Sequence, residues 1–159
     1  MEVIYPGSFD PVTNGHLDII ERCSKKFGRV TVAVLNNNAK NTLFTVEERK
    51  DMLKEVVRKY NNVEVDSFSG LLIDYAKEKG IFTVVRGLRV ISDFEYEMQM
   101  SLINKKLCKD IETIMMVSDS RCSFLSSSVV KEIAEFGGDI SCLVPKNVEK
   151  ELVKKIKRR

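Results

Sequence analysis

The stretch EVIYPGSFDPVTNGHLDIIERCSKKF (residues 2–27) decides the fold, because it contains a strand, a loop and a helix in succession. The run at 2–5 is short and apolar, which is typical of a buried strand. A helical period begins at His16 and places Ile20 and Cys23 on the same face. The loop between them is rich in Gly, Pro, Ser, Asp and Asn and leads to the only histidine of the chain. This loop is therefore either an ordinary turn or a loop built to bind something.

The same alternation of strand and helix continues through the chain at unequal spacing, so it is not a sequence repeat. Further β-rich runs are at 29–35, 63–68, 82–86 and 113–117. Helical patterns are at about 16–27, 46–60, 70–79, 92–108, 126–136 and 147–158. Buried strands that alternate with helices indicate a parallel sheet covered on both faces. We therefore predict an α/β protein in which residues 1–159 form a single domain around a doubly wound, five-stranded parallel sheet of Rossmann-like type.

The composition excludes several classes of protein. The chain is 43% hydrophobic and 31% charged and has three prolines, as expected of a globular domain. No apolar run approaches the roughly 20 residues of a membrane helix, so we expect no membrane partner. The N-terminus does not resemble a secretory signal, and the four cysteines are scattered without CxxC pairs. We expect reduced thiols and a cytoplasmic location.

The positive charge is concentrated at the C-terminus. The net charge is +3, and the segment from Glu149 to Arg159 contains six Lys or Arg and two Glu. The rest of the chain is therefore close to neutral, and the helix at about 147–158 is basic. Cations at the end of a helix complement its dipole, so we predict no nucleic-acid partner.

Polar groups follow most of the predicted strands. In doubly wound folds, ligands bind beyond the carboxyl ends of the strands. The loops after the first, second, fourth and fifth strands contain groups suited to phosphate, namely Ser8, Lys40, Arg86, Arg89 and Ser126 to Ser128. The loop after the third strand, SGLLIDY, is apolar instead. The loops together predict a cleft for a phosphorylated ligand with an apolar part.

Established phosphate and nucleophile motifs are missing from the sequence. There is no GxxxxGK[ST], no GxGxxG after the first strand and no GxSxG. No carboxylates are spaced to hold a metal ion unaided. This pattern favours a reaction in which the phosphate of one substrate attacks that of another, while the protein contributes position and charge.

Four segments carry a family resemblance. YPGSFDPVTNGH, followed by RGLR, DFEYEMQ and SFLSSSVVKE, closely resembles the bacterial phosphopantetheine adenylyltransferases, from residue 1 to about 150. These enzymes belong to the nucleotidyltransferase superfamily, whose signature [T/H]xGH corresponds to residues 13–16. The signature alone identifies only the superfamily, whereas the other three segments at these distances are specific to the adenylyltransferases.

The resemblance implies a nucleotidyltransferase fold and a particular reaction. ATP and 4′-phosphopantetheine give dephospho-coenzyme A and pyrophosphate in coenzyme A synthesis. The acceptor phosphate attacks the α-phosphorus of ATP in line, without a covalent enzyme intermediate. Mg²⁺ is the expected cofactor, carried mainly by the ATP phosphates rather than by protein ligands. A homohexamer, a dimer of trimers, is also implied.

The resemblance assigns roles residue by residue. His16, Lys40 and Arg89 are implied as catalytic residues. Phosphopantetheine is expected to contact Ser8, Lys40, Leu72 and Arg86. ATP is expected to contact Ser8, Phe9, His16, Gly87, Leu88, Arg89, Glu97, Cys122, Ser123, Phe124, Leu125, Ser126, Ser127 and Ser128. Cys122 departs from the family, which normally has Trp or Tyr at this position.

Structural explanations compete with several of these assignments. His16 could be a core histidine, and its protonation state cannot be inferred at a helix N-terminus, which disfavours imidazolium. Leu72 could serve helix packing, Glu97 could complement a helix dipole, and Ser126 to Ser128 could be helix N-caps.

Other functions also stay open at this point. A sibling nucleotidyltransferase could use another phosphorylated acceptor, such as nicotinamide mononucleotide or glycerol phosphate. A non-catalytic nucleotide-binding module is a further alternative.

Overall fold

The β-rich runs all form strands of one sheet. The structure, a computed structural model, describes residues 1–37 and 41–158. The strands are β1 (Glu2–Gly7), β2 (Arg29–Asn36), β3 (Val63–Ser69), β4 (Thr83–Leu88) and β5 (Glu112–Val117). Each is within about two residues of its predicted position, and all are parallel.

The strand order is β3-β2-β1-β4-β5. The chain builds outward from β1 to β3 and then returns to the other side of β1 with β4. Ile4 pairs with Val84 across this junction. Loops that leave neighbouring strands in opposite directions open a crevice at such a junction. The crevice therefore lies at the carboxyl ends of β1 and β4.

Six helices in the described part of the chain connect or flank the strands. They are α1 (Asn14–Lys26), α2 (Val46–Val57), α3 (Leu72–Lys79), α4 (Ile91–Leu107), α5 (Ser127–Glu135) and α6 (Lys146–Lys157). The capping box predicted from Thr45 and Glu48 begins α2, with the Glu48 N–H donating to Thr45 Oγ1 at 3.2 Å. Helix α2 ends three residues earlier than the pattern predicts. None of the helices in the described part of the chain is long and apolar enough to span a membrane.

Successive side chains of β1 point to opposite faces of the sheet and pack in two separate cores. Val3 and Tyr5 pack in a large cluster with residues of α1, α2, α5 and α6. Ile4 points to the opposite face and packs with Ile73 of α3 in a smaller cluster. A strand that is buried on both faces is expected only in a sheet covered on both sides. The predicted single-domain, doubly wound α/β fold is therefore confirmed.

Candidate active site

A polar cavity of about 270 Å³ occupies the crevice beyond β1 and β4. Loops after β1, β4 and β5 and the start of α5 form its walls. The predicted site residues that line it are Ser8, Phe9, His16, Arg86, Gly87, Arg89, Glu97, Leu125, Ser126, Ser127 and Ser128. The fold thus brings together residues that are up to 120 positions apart in the chain.

A second cavity of about 440 Å³ adjoins the first. Both cavities are lined by Ser8, Arg86 and Glu97, so these residues form a shared wall. Leu72 and other apolar side chains from β2, β3 and α4 line the second cavity. The apolar compartment predicted from the loop after β3 therefore lies next to the phosphate-suited one.

His16 occupies the third position of α1, and its ring is fixed by Thr13. The Thr13 backbone N–H donates to His16 Nδ1 at 3.0 Å, and the His16 N–H donates to Thr13 Oγ1 at 3.4 Å. The Phe9 ring meets the imidazole edge-on, with the ring centroids 5.0 Å apart. Because Nδ1 accepts a hydrogen bond, we assign the ring proton to Nε2.

The imidazole is neutral near pH 7. Burial and the positive charges of Arg89 and Arg86 lower the pKa of His16 from 6.5 to about 4. Two arginines make a further cation unfavourable in this space. The structure thus resolves a protonation state that the sequence leaves open. His16 is available as a donor through Nε2 and carries no charge of its own.

Arg86 and Glu97 form a bidentate ion pair. Arg86 Nε donates to Glu97 Oε2 at 2.6 Å, and Arg86 Nη2 donates to Glu97 Oε1 at 2.5 Å. Arg86 Nη1 also donates to the carbonyl oxygen of Pro6 at 2.9 Å. Sequence analysis expects Arg86 on the phosphopantetheine side and Glu97 on the ATP side. The structure places the pair together in the wall between the two cavities, and the substrate that each residue contacts stays a prediction.

Arg89 ties two loops of the cleft together. Its Nε donates to Asp93 Oδ2 at 3.0 Å, and its Nη1 donates to the Leu125 carbonyl oxygen at 2.7 Å. The first contact lies within the turn that begins α4, and the second reaches the loop before α5. The guanidinium thereby links these two parts of the wall while it lines the cavity.

The loop after β1 is held by a buried carboxylate. Asp10 is 2% exposed and accepts hydrogen bonds from the backbone N–H groups of Leu43 and Phe44, each at 2.9 Å. The Lys131 ammonium group donates to Asp10 Oδ2 at 2.8 Å. Lys131 also lines the first cavity, which makes it a candidate site residue that the sequence analysis missed.

The serine run begins α5 and caps it, as the N-cap interpretation predicts. Ser126 is the N-cap, and its Oγ accepts the Val129 N–H at 3.1 Å. Ser127 Oγ donates to the Pro11 carbonyl oxygen at 2.8 Å. Because the capped end of α5 lines the cavity, its dipole favours an anion there.

Four of the residues that the sequence analysis assigns to ATP line neither of the two cavities. Within the described part of the chain, these are Leu88, Cys122, Ser123 and Phe124. Cys122 packs beside the first turn of α1, near Gly15, and Phe124 is 65% exposed. Their predicted contacts with ATP stay predictions. Lys40 lies outside the described residues.

The residues that sequence analysis missed differ in whether a local sequence pattern could have identified them. Thr13 precedes His16 by three positions, which is the spacing of a capping box, so a local signal exists. Asp10 and Lys131 act through partners that are distant in the chain, so no local pattern identifies their contacts in advance. Asp93 pairs with Arg89 four positions earlier, so a local spacing signal exists for it.

The protein offers no ready-made cage for a metal ion among the residues that the structure describes. These residues contain no group of three or more His, Cys, Asp or Glu side chains placed to hold a metal ion.

The fold is that of a known class. Residues 4–133 match the family model of the cytidylyltransferase-like proteins. A Vibrio parahaemolyticus protein assigned as a nicotinate-nucleotide adenylyltransferase superposes with a TM-score of 0.72 at 16% identity, over 99% of this chain and 95% of that one. The nicotinic acid mononucleotide adenylyltransferase of Plasmodium falciparum superposes with a TM-score of 0.69 at 16% identity, over 99% and 94%. The class of the protein is therefore cytidylyltransferase-like.

Curated relatives define the family more narrowly. The phosphopantetheine adenylyltransferase of Natranaerobius thermophilus is 58% identical over 153 residues, which cover 96% of this chain and 94% of that protein. The phosphopantetheine adenylyltransferase of Clostridium kluyveri is 57% identical over 152 residues, which cover 96% and 93%. The chain belongs to the phosphopantetheine adenylyltransferase family.

Proposed function

We propose that the protein transfers the adenylyl group of ATP to 4′-phosphopantetheine, giving dephospho-coenzyme A and pyrophosphate. The observation that carries this proposal is the pair of adjoining cavities, one polar and one with apolar walls, which meet at Ser8, Arg86 and Glu97. ATP fits the polar cavity and the pantetheine arm fits the apolar one. Their phosphates then meet at the shared wall.

The described side chains act by position and charge. His16 is neutral, so it donates a hydrogen bond through Nε2 to the α-phosphate and strengthens that bond as negative charge develops. Arg89 and the N-terminus of α5 offset charge on the ATP phosphates. The acceptor phosphate is itself the nucleophile, so the reaction needs no covalent enzyme intermediate.

Mg²⁺ completes the proposal as a cofactor that arrives with ATP. When bound, it offsets the negative charge of the triphosphate. Phosphate oxygens of the bound ATP would then be its main ligands. The role that the resemblance implies for Lys40, which lies outside the described residues, is part of the same proposal.

A comparison of acceptors tests the substrate. Purified protein is incubated with ATP, Mg²⁺ and 4′-phosphopantetheine, nicotinamide mononucleotide or glycerol phosphate, and pyrophosphate release is measured. We expect turnover with 4′-phosphopantetheine to exceed the others by at least about a hundredfold, because only this acceptor fills the apolar cavity. Preference for another acceptor would indicate a sibling enzyme, and no release with any acceptor would favour a non-catalytic module.

We further propose a cytoplasmic homo-oligomer, a hexamer. Helix α4 supports self-association, because it exposes a series of apolar side chains at Ile91, Phe94, Met98, Leu102 and Leu107. Exposed apolar patches of this kind commonly mark contacts with other protein. A second copy of the chain would provide that cover.

A further inference from the structure

Arg49, on α2, is a buried cation that the proposed chemistry does not use. It is 2% exposed and is among the largest fully buried side chains. Within the described chain, none of the ion pairs includes it, and the acceptors recorded for its guanidinium are backbone carbonyl oxygens. Burial lowers the pKa of Arg49, and nearby Asp10 opposes that effect. Because burying a guanidinium is costly, its contacts call for an explanation.

The contacts lie where β1 and β2 separate. Arg49 Nη1 donates to the carbonyl oxygens of Ser8 at 2.8 Å and Leu35 at 3.1 Å. The pairing of the two strands ends at Gly7 and Val34, one residue earlier on each strand. Beyond this point, the Arg49 nitrogen takes the place of the hydrogen bonds between the two strands and keeps Ser8 beside Leu35.

Both of these residues line the apolar cavity, and Ser8 also lines the polar one. The next residue, Phe9, has φ 48°, in the left-handed region that non-glycine residues rarely adopt. Such a conformation persists only where the surroundings fix it. The bond from Arg49 anchors the chain immediately before this point.

We infer that Arg49 is a positioning residue. It fixes the position of Ser8 and thereby the width of the apolar cavity, which the proposed function assigns to the acceptor. This inference rests on the proposed adenylyl transfer for its kinetic consequence. Arg49 touches neither cavity among the described residues and acts through the backbone of Ser8 and Leu35.

The kinetic test uses Arg49→Met, Arg49→Gln and Arg49→Lys. We expect Met and Gln to lower kcat/KM for 4′-phosphopantetheine by about tenfold or more, because small displacements of a positioning group are amplified in the rate. The KM for ATP should change less than about threefold, since most of its wall is held by Arg89 and α5. Lysine keeps the charge but not the fork of donors, so it should restore activity in part.

Val30→Ala is the control for lost stability. Val30 is fully buried on β2, the strand that also carries Leu35. It lies near the amino end of that strand, away from the cleft. We expect this variant to lower the melting temperature and leave both KM values unchanged. Wild-type kinetics in all three Arg49 variants, measured below their melting temperatures, would overturn the inference.

Amide hydrogen exchange separates this inference from the proposed function. In Arg49→Met, the amides of residues 8–10 should exchange faster than in the wild type, and in Val30→Ala they should not. This readout needs no turnover. Unchanged exchange at residues 8–10 would contradict the positioning role, whereas a wild-type protein inactive with 4′-phosphopantetheine would contradict only the proposed function.

Discussion

At the scale of single residues, the imidazole of His16 acquires its properties from its neighbours. The Thr13 N–H occupies Nδ1, and burial together with Arg89 and Arg86 keeps the ring neutral. A neutral ring can donate a hydrogen bond through Nε2. It is a poor base, because the pKa of its protonated form is only about 4. These facts favour a hydrogen-bond donor to a phosphate.

Replacing His16 tests that role. We expect His16→Ala to fold and to lose on the order of a hundredfold or more in turnover, because one preorganised donor is typically worth about 2.7–4 kcal/mol of barrier. Circular dichroism checks the fold and steady-state kinetics measure the loss. Near-wild-type kcat in a folded variant would exclude the role.

The lowered pKa also predicts a dependence of stability on pH. The unfolded chain protonates His16 near pH 6.5 and the folded chain near pH 4. The contribution of this residue is therefore fully present above pH 6.5 and is lost as the pH falls towards 4. Between pH 7 and pH 5 the wild type should lose about 2 kcal/mol more unfolding free energy than His16→Gln.

Gln is a suitable comparison because it can accept the Thr13 N–H from the third helical position and does not titrate in this range. Chemical denaturation at the two pH values measures the difference. Equal losses in the two proteins would show that the His16 pKa is not lowered by folding.

Sequence and structure diverge most at this residue scale. His16 and Arg89 are predictable from the family signature and from loop position. The bidentate pair of Arg86 with Glu97 is not predictable, because its members lie eleven residues apart and meet only when α4 packs beside β4. Lys131 and Arg49 look like ordinary helix cations in the sequence for the same reason.

At the scale of elements, α1 holds the loop between β5 and α5 in place. Asp18 Oδ2 accepts the Asp119 N–H at 3.2 Å. Arg22 Nη1 donates to Asp18 Oδ2 at 3.2 Å and to the Val117 carbonyl oxygen at 2.7 Å. The loop that leads to Leu125 and the serine run is therefore tied to the helix that carries His16.

Loosening this tie should affect one substrate more than the other. We expect Asp18→Ala to raise the KM for ATP about threefold to tenfold, the equivalent of one hydrogen bond, and to change the acceptor KM less than twofold. The control is Asp51→Ala, which removes a carboxylate with 73% exposure from α2. An equal rise in both KM values for Asp18→Ala would contradict a loop-specific effect.

The elements themselves were largely predictable. β-branched runs and capping patterns place the strands and helices, since these signals are local. Bounds shift by up to three residues where the ends depend on tertiary contacts, as at the end of α2, predicted at Tyr60 and found at Val57.

At the scale of the whole molecule, α4 is the element that the single chain leaves incompletely covered. Leu102 is 63% exposed and Leu107 is 55% exposed, although both side chains are apolar. The sequence pattern predicts the helix but not the exposure of these side chains, because exposure depends on tertiary packing. The proposed association of several chains would cover them.

A charge on this face should prevent association. We expect the wild type to sediment near six times the 18.1 kDa chain mass and Leu102→Glu to shift to smaller species. An interface cannot bury an unpaired carboxylate at low cost. Val153→Glu, at a partly exposed position of α6, serves as control. A wild type that sediments as a monomer, or an unaffected Leu102→Glu oligomer, would contradict the proposed assembly.

The central claim is that the adenylyl group passes from one bound substrate to the other without an enzyme intermediate. ATP labelled at the α-phosphate gives the most direct test of this claim. Protein, Mg²⁺, labelled ATP and 4′-phosphopantetheine are mixed and quenched in acid. The two-cavity arrangement predicts label in dephospho-coenzyme A, one pyrophosphate released per product and no label on the protein. Label on the protein, or pyrophosphate release without acceptor, would contradict it.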